Sequence, residues 1–348
     1  MATRMQLPSR ILVLYNIDYD PAGAADVVSV AACARAIVDA LTEGGCHAEP
    51  IGVHGREVFA VLEQVRAAKP DLVFNLCESM AGDSRNEPTF AGLLDLFEIP
   101  YTGNDLLGLA SCLYKQRTKD ILIAHGVPTP PHRLLADLTA LGDPALDALD
   151  YPWFVKLAHE DASVGITEGN LVATPAALRG RARELMIAHA QPVLAERYVD
   201  GRELNVTLIG NGAELQMLPL HEIDFAAMPA DRPRIVSYAA KWDENHVDYA
   251  GTKSVPLQGA SPGLIANVER VARGAWHALG LRDYGRVDLR VDATDAAWVI
   301  DVNPNPDISP DAGAARAAQL AGMSYRQLIA HIAGIAHRRI RQRRVTLS

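Results

Sequence analysis

The 348-residue chain has little cysteine, no excess of positive charge and no long apolar run. Its four cysteines, Cys33, Cys46, Cys77 and Cys112, are widely spaced, form no Cys-x-x-Cys pair and have no histidine cluster nearby. Neither a zinc site nor a disulfide framework is indicated, and a reducing compartment fits. No stretch of about 18 apolar residues appears and the N-terminus lacks the apolar core of a signal peptide, so a cytoplasmic protein with no membrane partner is expected. The formal net charge of −9 argues against nucleic acid as a partner. One basic cluster exists, Arg338, Arg339, Arg341, Arg343 and Arg344, and it reads as a solvated helix end. No internal repeat is evident. No Gly-Lys-Ser/Thr tripeptide opens a helix, which excludes a P-loop.

What is present is the composition of a globular protein, 49% hydrophobic and 22% charged, long enough for two or three domains. The first hundred residues alternate apolar strands with helices. Ile11 to Tyr15 and Leu72 to Leu76 read as strands, Asp26 to Thr42, Glu57 to Ala68 and Thr89 to Phe97 as helices, which is a βαβ pattern with a mainly parallel sheet. In such sheets a ligand is met just past the strand ends, here Asn75 to Glu78 and Tyr101 to Asn104. A boundary near Leu109 precedes a helix from Leu113 to His125, ended by Gly126 and the prolines that follow it. Beyond lie strands over Val193 to Tyr198, Glu203 to Ile209 and Glu214 to Leu220, a polar irregular region from Phe225 to Gly251, a helix from Ile265 to Leu279, and two helical segments after Pro310. The expected division is 1–109, 110–192 and 193–348.

Three segments carry chemistry. Gly285 to Asp292 and Trp298 to Asn303 alternate apolar and polar residues with period two, so Arg286 and Asp288 share one strand face and Asp301 and Asn303 another. A turn centred on Thr294-Asp295 sets Asp288 opposite Asp301 and Arg286 opposite Asn303, with paired Cβ atoms about 5 Å apart. Opposed carboxylates repel, and two carboxylates with an amide oxygen suit a hard Mg²⁺ that also holds phosphates. Tyr151 to Lys156 places a lysine at the end of an apolar strand, followed by a loop of small residues through Ser163 and Gly165. Such a pair can grip phosphates, although an ordinary strand-end lysine and turn has the same appearance. Val193 to Glu203 runs a strand into a turn. Glu196, the Tyr198-Val199 backbone and Glu203 would meet the needs of an adenosine, and an edge strand with a solvent-facing charge pair reads equally well.

With phosphate lysine, adenine strand and metal hairpin in this order, the chain resembles the ATP-grasp superfamily and, within it, the D-alanine–D-alanine ligase family. The likeness runs from Ile11 to about Ile332 through Ile99-Pro100-Tyr101-Thr102-Gly103, Lys115 with Gly126-Val127-Pro128-Thr129-Pro130, Lys156 with Ser163-Val164-Gly165, Lys241, the hairpin, and Ala321 to Tyr325. It implies an α/β chain, α+β in the ATP-grasp part, with an N-terminal parallel-sheet domain, a central ATP-grasp subdomain and a C-terminal ATP-grasp domain carrying the hairpin. It implies ATP, with Lys115 and Lys156 on its phosphates, Ser163 closing over them, Glu196, Tyr198, Val199 and Glu203 on adenine and ribose, and Lys241 on the γ-phosphate. Asp288, Asp301 and Asn303 match ligands for Mg²⁺ or Mn²⁺, and Arg286 the arginine that steadies an acyl-phosphate and the tetrahedral intermediate. The implied activity joins a small-molecule carboxylate to an amine, and the implied assembly is a homodimer through the N-terminal domain.

The chain departs from that pattern where the family holds its amino acids. Ala25 stands for the glutamate that fixes the first ammonium, Ala162 for its loop serine and Trp242 for the tyrosine beside Lys241. Asp307 stands for a glycine that helps stabilise the oxyanion, and Ala312 for the serine that binds the second carboxylate. Asp301 replaces the more usual glutamate and is one methylene shorter. An altered amino-acid pocket is expected, with Asp307 and Asp311 suggesting a cationic amine or acting only as helix-capping acids. An ATP-grasp phosphotransferase and a non-catalytic nucleotide-binding protein are the alternatives.

Overall fold

The computed structural model describes residues 7–17, 25–160 and 163–346. Three sheets follow one another along the chain. In the first, β1 (Arg10–Asn16) lies between β2 (His47–Val53) and β3 (Leu72–Leu76), all parallel. Ile11 to Leu14 are all buried because both faces of this sheet are covered, the condition under which a strand reads as an unbroken apolar run. Leu12 and Leu14 face α2 (Val58–Ala68), α3 (Glu87–Leu96) and α4 (Leu106–Leu113). Ile11 and Val13 face α1 (Ala25–Glu43).

The helix expected from Leu113 to His125 is present, starting at Lys115, and the apolar stretch before it forms a further, unexpected helix, α4. After α4, Tyr114 takes an extended conformation (φ −93°, ψ 91°) and α5 runs over Lys115–Ala124. The uniformly apolar stretch from Leu106 to Leu113 shows no period, which hides α4 from pattern reading, and the expected boundary at Leu109 falls inside it. The break frees the Lys115 N–H to donate to Ala158 O at 3.1 Å, which pins this lysine against the next sheet.

The second sheet is antiparallel, in the order β4 (His132–Leu135), β7 (Val193–Arg197), β5 (Trp153–Leu157), β6 (Leu171–Val172). Its Trp153, Val155, Leu157, Val193 and Ala195 pack with Leu178, Ala182 and Leu185 of α6 (Pro175–His189). Period two therefore turns Phe154, Lys156 and Glu196 to the other face.

The chain changes sheet in the turn 198–201. Gly201 has φ +140°, and a Cβ there would lie 2.0 Å from Val291 O, so only glycine lets the backbone pass. The third sheet begins with β8 (Arg202–Ile209), joined at its end by the two-residue β9 (Gln216–Met217), and continues with β10 (His221–Asp224), β11 (Lys253–Pro256), β12 (Tyr284–Val291) and β13 (Ala297–Asn303) in the order β11-β10-β8-β12-β13. The strand expected over Glu214 to Leu220 is mostly loop. The irregular region from Phe225 to Gly251 holds two short helices, α7 (Tyr238–Trp242) and α8 (Val247–Ala250). Helix α9 (Pro262–Ala278) buries Val268, Val271, Ala272, Ala275 and Trp276 against Leu204, Val206, Val287, Leu289 and Val299. The residues between them, Glu203, Asn205, Arg286, Asp288 and Arg290, occupy the opposite face.

The last helices, α10 (Gly313–Leu320) and α11 (Tyr325–Thr346), return to pack on α1 and the first sheet. Part of the arginine cluster is structural rather than solvated. Arg339 reaches the fully buried Asp283 at 2.8 Å, and Asp283 also accepts from Gly103 N at 3.0 Å and Asn211 Nδ2 at 2.8 Å. One carboxylate thus ties the first sheet, the third sheet and α11 together. No helix among the described residues is long and apolar enough to cross a membrane.

Candidate functional site

The second and third sheets face each other across a cavity of about 300 Å³. All twelve residues singled out from the sequence line it: Lys115, Lys156, Ser163, Glu196, Tyr198, Val199, Glu203, Lys241, Arg286, Asp288, Asp301 and Asn303.

On the hairpin the register is Arg286 opposite Asn303 and Asp288 opposite Asp301, as the spacing predicts. Nearer the turn it shifts by one, with a bulge between Asp288/Leu289 and Val299 that makes Ile300 an extra residue. Ile300 and Asp301 consequently both reach the cavity, and Ile300 O is exposed to accept from Lys156 Nζ at 2.9 Å. Arg286 donates to Asp288 through Nε at 2.7 Å and through its terminal nitrogen at 2.9 Å. Asp288 also accepts from Asn205 Nδ2 at 2.8 Å and Asn303 Nδ2 at 3.0 Å. Asp301 holds Lys115 Nζ at 2.9 Å. Burial pushes the Asp301 carboxyl up, but Lys115 and then Lys156 outweigh it and bring its pKa to about 2. The repulsion between opposed carboxylates is thus relieved by one protein cation each.

The donor set fits a hard divalent cation. It has two carboxylates and an amide whose Nδ2 is spent on Asp288, leaving Asn303 Oδ1 without a donor among the described residues. No group of three His, Cys, Asp or Glu side chains is clustered anywhere among the described residues, so the amide would be needed.

On the facing sheet, Glu196 is gripped by two ammoniums, Lys156 at 2.8 Å and Lys119 at 2.6 Å. Burial would raise its pKa, and the two lysines hold it below the usual carboxylate value. Glu203 pairs with Arg290 at 3.4 Å, and its pKa is raised by burial. Arg290 stacks on the Tyr198 ring, 4.8 Å from its centroid, and donates to Tyr198 Oη at 2.9 Å and to Gly201 O at 3.1 Å. Tyr198 Oη in turn donates to Arg234 O at 3.0 Å.

The two loops expected to close over phosphates touch each other. Ser163, at φ +62°, donates through Oγ to Val236 O at 3.1 Å, and Tyr238 N donates to Ile166 O at 2.9 Å. Arg232 adds an ion pair to Glu168 at 3.0 Å while also holding the buried Asp248. Lys241 rides on α7 at the cavity edge.

Four lining or supporting residues escaped sequence reading: Lys119, Asn205, Arg290 and Arg316. Lys119 follows Lys115 by one helical turn, a spacing that does not reveal burial, so the sequence held no signal for it. Asn205 and Arg290 alternate with apolar residues on β8 and β12, the same period that revealed Asp288.

Near the far end of the cavity, Asp307 is held by its own turn, although its charge still acts on Arg286. Its Oδ1 accepts from Ser309 N at 2.8 Å and Ser309 Oγ at 2.6 Å, so it caps a turn. Neither it nor Asp311 lines the cavity, and the charged residue that does so there is the exposed Arg316 of α10. Of the two expected roles for these aspartates, the hydrogen bonds of Asp307 favour capping over selection of a cationic amine. Ala312 is the N-cap of α10 and supplies no side-chain cap. Ala162 and the side chain of Ala25 lie outside the described residues.

The chain is similar to known proteins over most of its length. Residues 122–333 match the family model described as the D-ala D-ala ligase C-terminus. The uncharacterized protein y4sG of Sinorhizobium fredii is 32% identical over 311 residues, 88% of each chain. The D-alanine–D-alanine ligase of Bordetella avium is 32% identical over 250 residues, covering 72% of this chain and 74% of the relative. The crystal structure of D-alanine–D-alanine ligase from Bacillus anthracis complexed with ATP superposes with a TM-score of 0.76 at 20% identity, over 97% of this chain and 99% of that one.

Proposed function

The chain belongs to the D-alanine–D-alanine ligase family and is an ATP-dependent carbon–nitrogen ligase, and from that premise we propose that it joins a carboxylate to an amine through an acyl-phosphate, on substrates other than two D-alanines. The observation that carries the reading is the convergence of cationic and anionic side chains from two sheets on one cavity, and the sequence departures at Ala25, Ala162, Trp242 and Ala312 support the choice of other substrates.

A carboxylate is a poor electrophile. Attack by its oxygen on the γ-phosphorus of ATP releases ADP and makes the carbonyl carbon reactive; the amine then adds to that carbon and phosphate leaves, with the amine proton lost. Lys156, fixed by Ile300 O and Glu196, gives the phosphate chain a point charge that needs no reorganisation. Lys115 holds Asp301 and is the ammonium that turns to the phosphates when nucleotide binds. Lys241 meets the γ-phosphate from α7. Arg286, oriented by two bonds to Asp288, faces the carbonyl oxygen as it gains charge. Mg²⁺ or Mn²⁺ held by Asp288, Asp301 and Asn303 would neutralise phosphate charge. Tyr198 and Val199 offer the backbone edge and Glu203 the carboxylate for adenosine. The Ser163 and Lys241 loops, closed on one another, exclude water that would hydrolyse the acyl-phosphate.

A cytoplasmic setting suits four buried cysteines that form no disulfide among the described residues. The exposed Leu96 and Leu107 on α3 and α4 supply apolar surface for a homodimer contact on the N-terminal domain.

The test is ADP release from ATP and Mg²⁺ across a matrix of carboxylic acids, amino acids and amines. ADP that appears only when an acid and an amine are both present supports the ligase. ADP with one substrate and a stable phosphorylated product would replace it with a phosphotransferase, and tight ATP binding with no ADP from any pair would favour a non-catalytic binder.

A further inference from the structure

Lys119 has no part in the chemistry above, yet it is only 2% exposed, and an ammonium at that depth requires compensation. The compensation is local. Its Nζ lies 2.6 Å from Glu196 Oε2, donates to Thr129 Oγ at 2.8 Å and approaches Val299 O at 3.5 Å. Thr129 Oγ donates onward to Val299 O at 2.7 Å, so the lysine is seated between α5, the segment before β4 and β13. Lys119 does not line the cavity, whereas Glu196 does.

Glu196 therefore has a cation behind it and a second one, Lys156, on its other oxygen. An ionised carboxylate has about four acceptor sites, and the two ammoniums stand against one oxygen each as ion pairs, so acceptor capacity is left on a wall of the cavity. A buried ion pair contributes little net stability, because desolvation offsets the attraction. What it supplies reliably is orientation.

Resting on the reading of this wall as the adenine site, we infer that Lys119 is a positioning residue: it keeps Glu196 ionised and in one orientation, so that the carboxylate presents a fixed acceptor to the 6-amino group of the base and sets the preference for adenine over purines that offer no donor there. Lys156 cannot substitute, because it is shared with Ile300 O and is the lysine assigned to phosphates.

The test compares equilibrium binding of ATP with that of purine riboside triphosphate, which lacks the 6-amino group, to the full chain with Mg²⁺. Wild type should prefer ATP by about 10-fold or more, the scale of one hydrogen bond to a charged acceptor. Lys119→Met keeps the length and removes the charge, and should bring the ratio to within about 2-fold by weakening ATP far more than the analogue. A lysine that only supports the fold would weaken both ligands equally; an unchanged ratio overturns the inference. If the methionine variant does not fold, Thr129→Val, which loosens the lysine but retains its charge, should give an intermediate ratio, and an unchanged one has the same overturning force. Wild type that binds neither nucleotide would overturn the adenine-site reading together with this one. Wild type that binds both with equal affinity would overturn the Lys119 inference alone.

Discussion

The two ends of the cavity are built differently. At the end we assign to the nucleotide, Lys115, Lys119 and Lys156 are each buried and each paired with a carboxylate within 3 Å, and the two carboxylates, Asp301 and Glu196, come from different sheets. At the end we assign to the acceptor, Ala312 and Gly313 offer no side-chain polar group, Asp307 caps the turn at Ser309, and an exposed arginine, Arg316, lines the cavity. Groups that act on phosphates must be preorganised, since their value lies in not moving when charge develops. Groups that choose a substrate need only touch it. The first end is therefore hard to alter one residue at a time and the second is easy, which is how one family can keep its reaction and change its substrates.

The largest expected effect breaks the first end. Asp288→Asn removes the carboxylate that holds Arg286 and would hold the metal, and ADP formation should fall by about 10²–10³-fold, the scale of losing one preorganised electrostatic contact. Steady-state assays with the acid and amine pair that the ADP-release matrix identifies measure it. Retention of a tenth of the wild-type rate would mean that the hairpin face is not where phosphate chemistry happens.

Next is Gly201→Ala. A methyl would collide with the Val291 carbonyl at a φ that alanine avoids, so the turn joining the nucleotide strand to β8 must shift. The cost is expected at about 2–4 kcal/mol by the strain mechanism, read as lowered stability in denaturant unfolding together with weakened ATP binding. Unfolding without change in ATP affinity would uncouple this turn from the site.

Arg316→Ala addresses the other end. Loss of a charge-assisted contact to a substrate is worth about 1.5–3 kcal/mol, so the KM for the amine should change about 10-fold or more while the KM for ATP stays within about 2-fold. A variant that raised both equally would show that the two ends are not separable.

Much of this site could be read from the chain because its residues obey period two. Once Val287 and Val302 are assigned to a core, Arg286, Asp288, Asp301 and Asn303 must share the opposite side, and their register follows from the turn. The bulge at Ile300 could not be read that way, since one extra residue leaves no compositional mark yet puts two consecutive side chains on one face. Nor could Lys119, whose partner Glu196 is 77 positions away on a strand of another segment (196 − 119). The break at Tyr114 was hidden for a local reason, as α4 is apolar all round and has no face. Long-range ion pairs and irregular backbone are set by packing, and the linear pattern records only what repeats.

The smallest expected effect concerns the tip of the same hairpin, away from both ends of the cavity. Asp292 accepts from Thr294 N at 2.8 Å, Thr294 Oγ at 2.6 Å and Trp298 Nε1 at 3.0 Å, and these bonds, led by the Thr294 hydroxyl, lower its pKa to about 2 against a modest opposing desolvation. Its folded value lies below the unfolded value of about 3.9, so its contribution is fully present above about pH 4 and is lost as pH falls through about 2. Asp292→Asn should therefore lower the thermal midpoint by about 1–4 °C at pH 7, and the difference from wild type should shrink as the pH is taken from 4 towards 2. Its kinetics should not move, because the register that matters, Asp288 against Asp301, lies beyond the bulge from Asp292. A change in ADP formation in this variant would show that the turn, and not only the bulged segment, sets the geometry of the carboxylates, and the division between a rigid chemical end and its surroundings would have to be redrawn to include the whole hairpin.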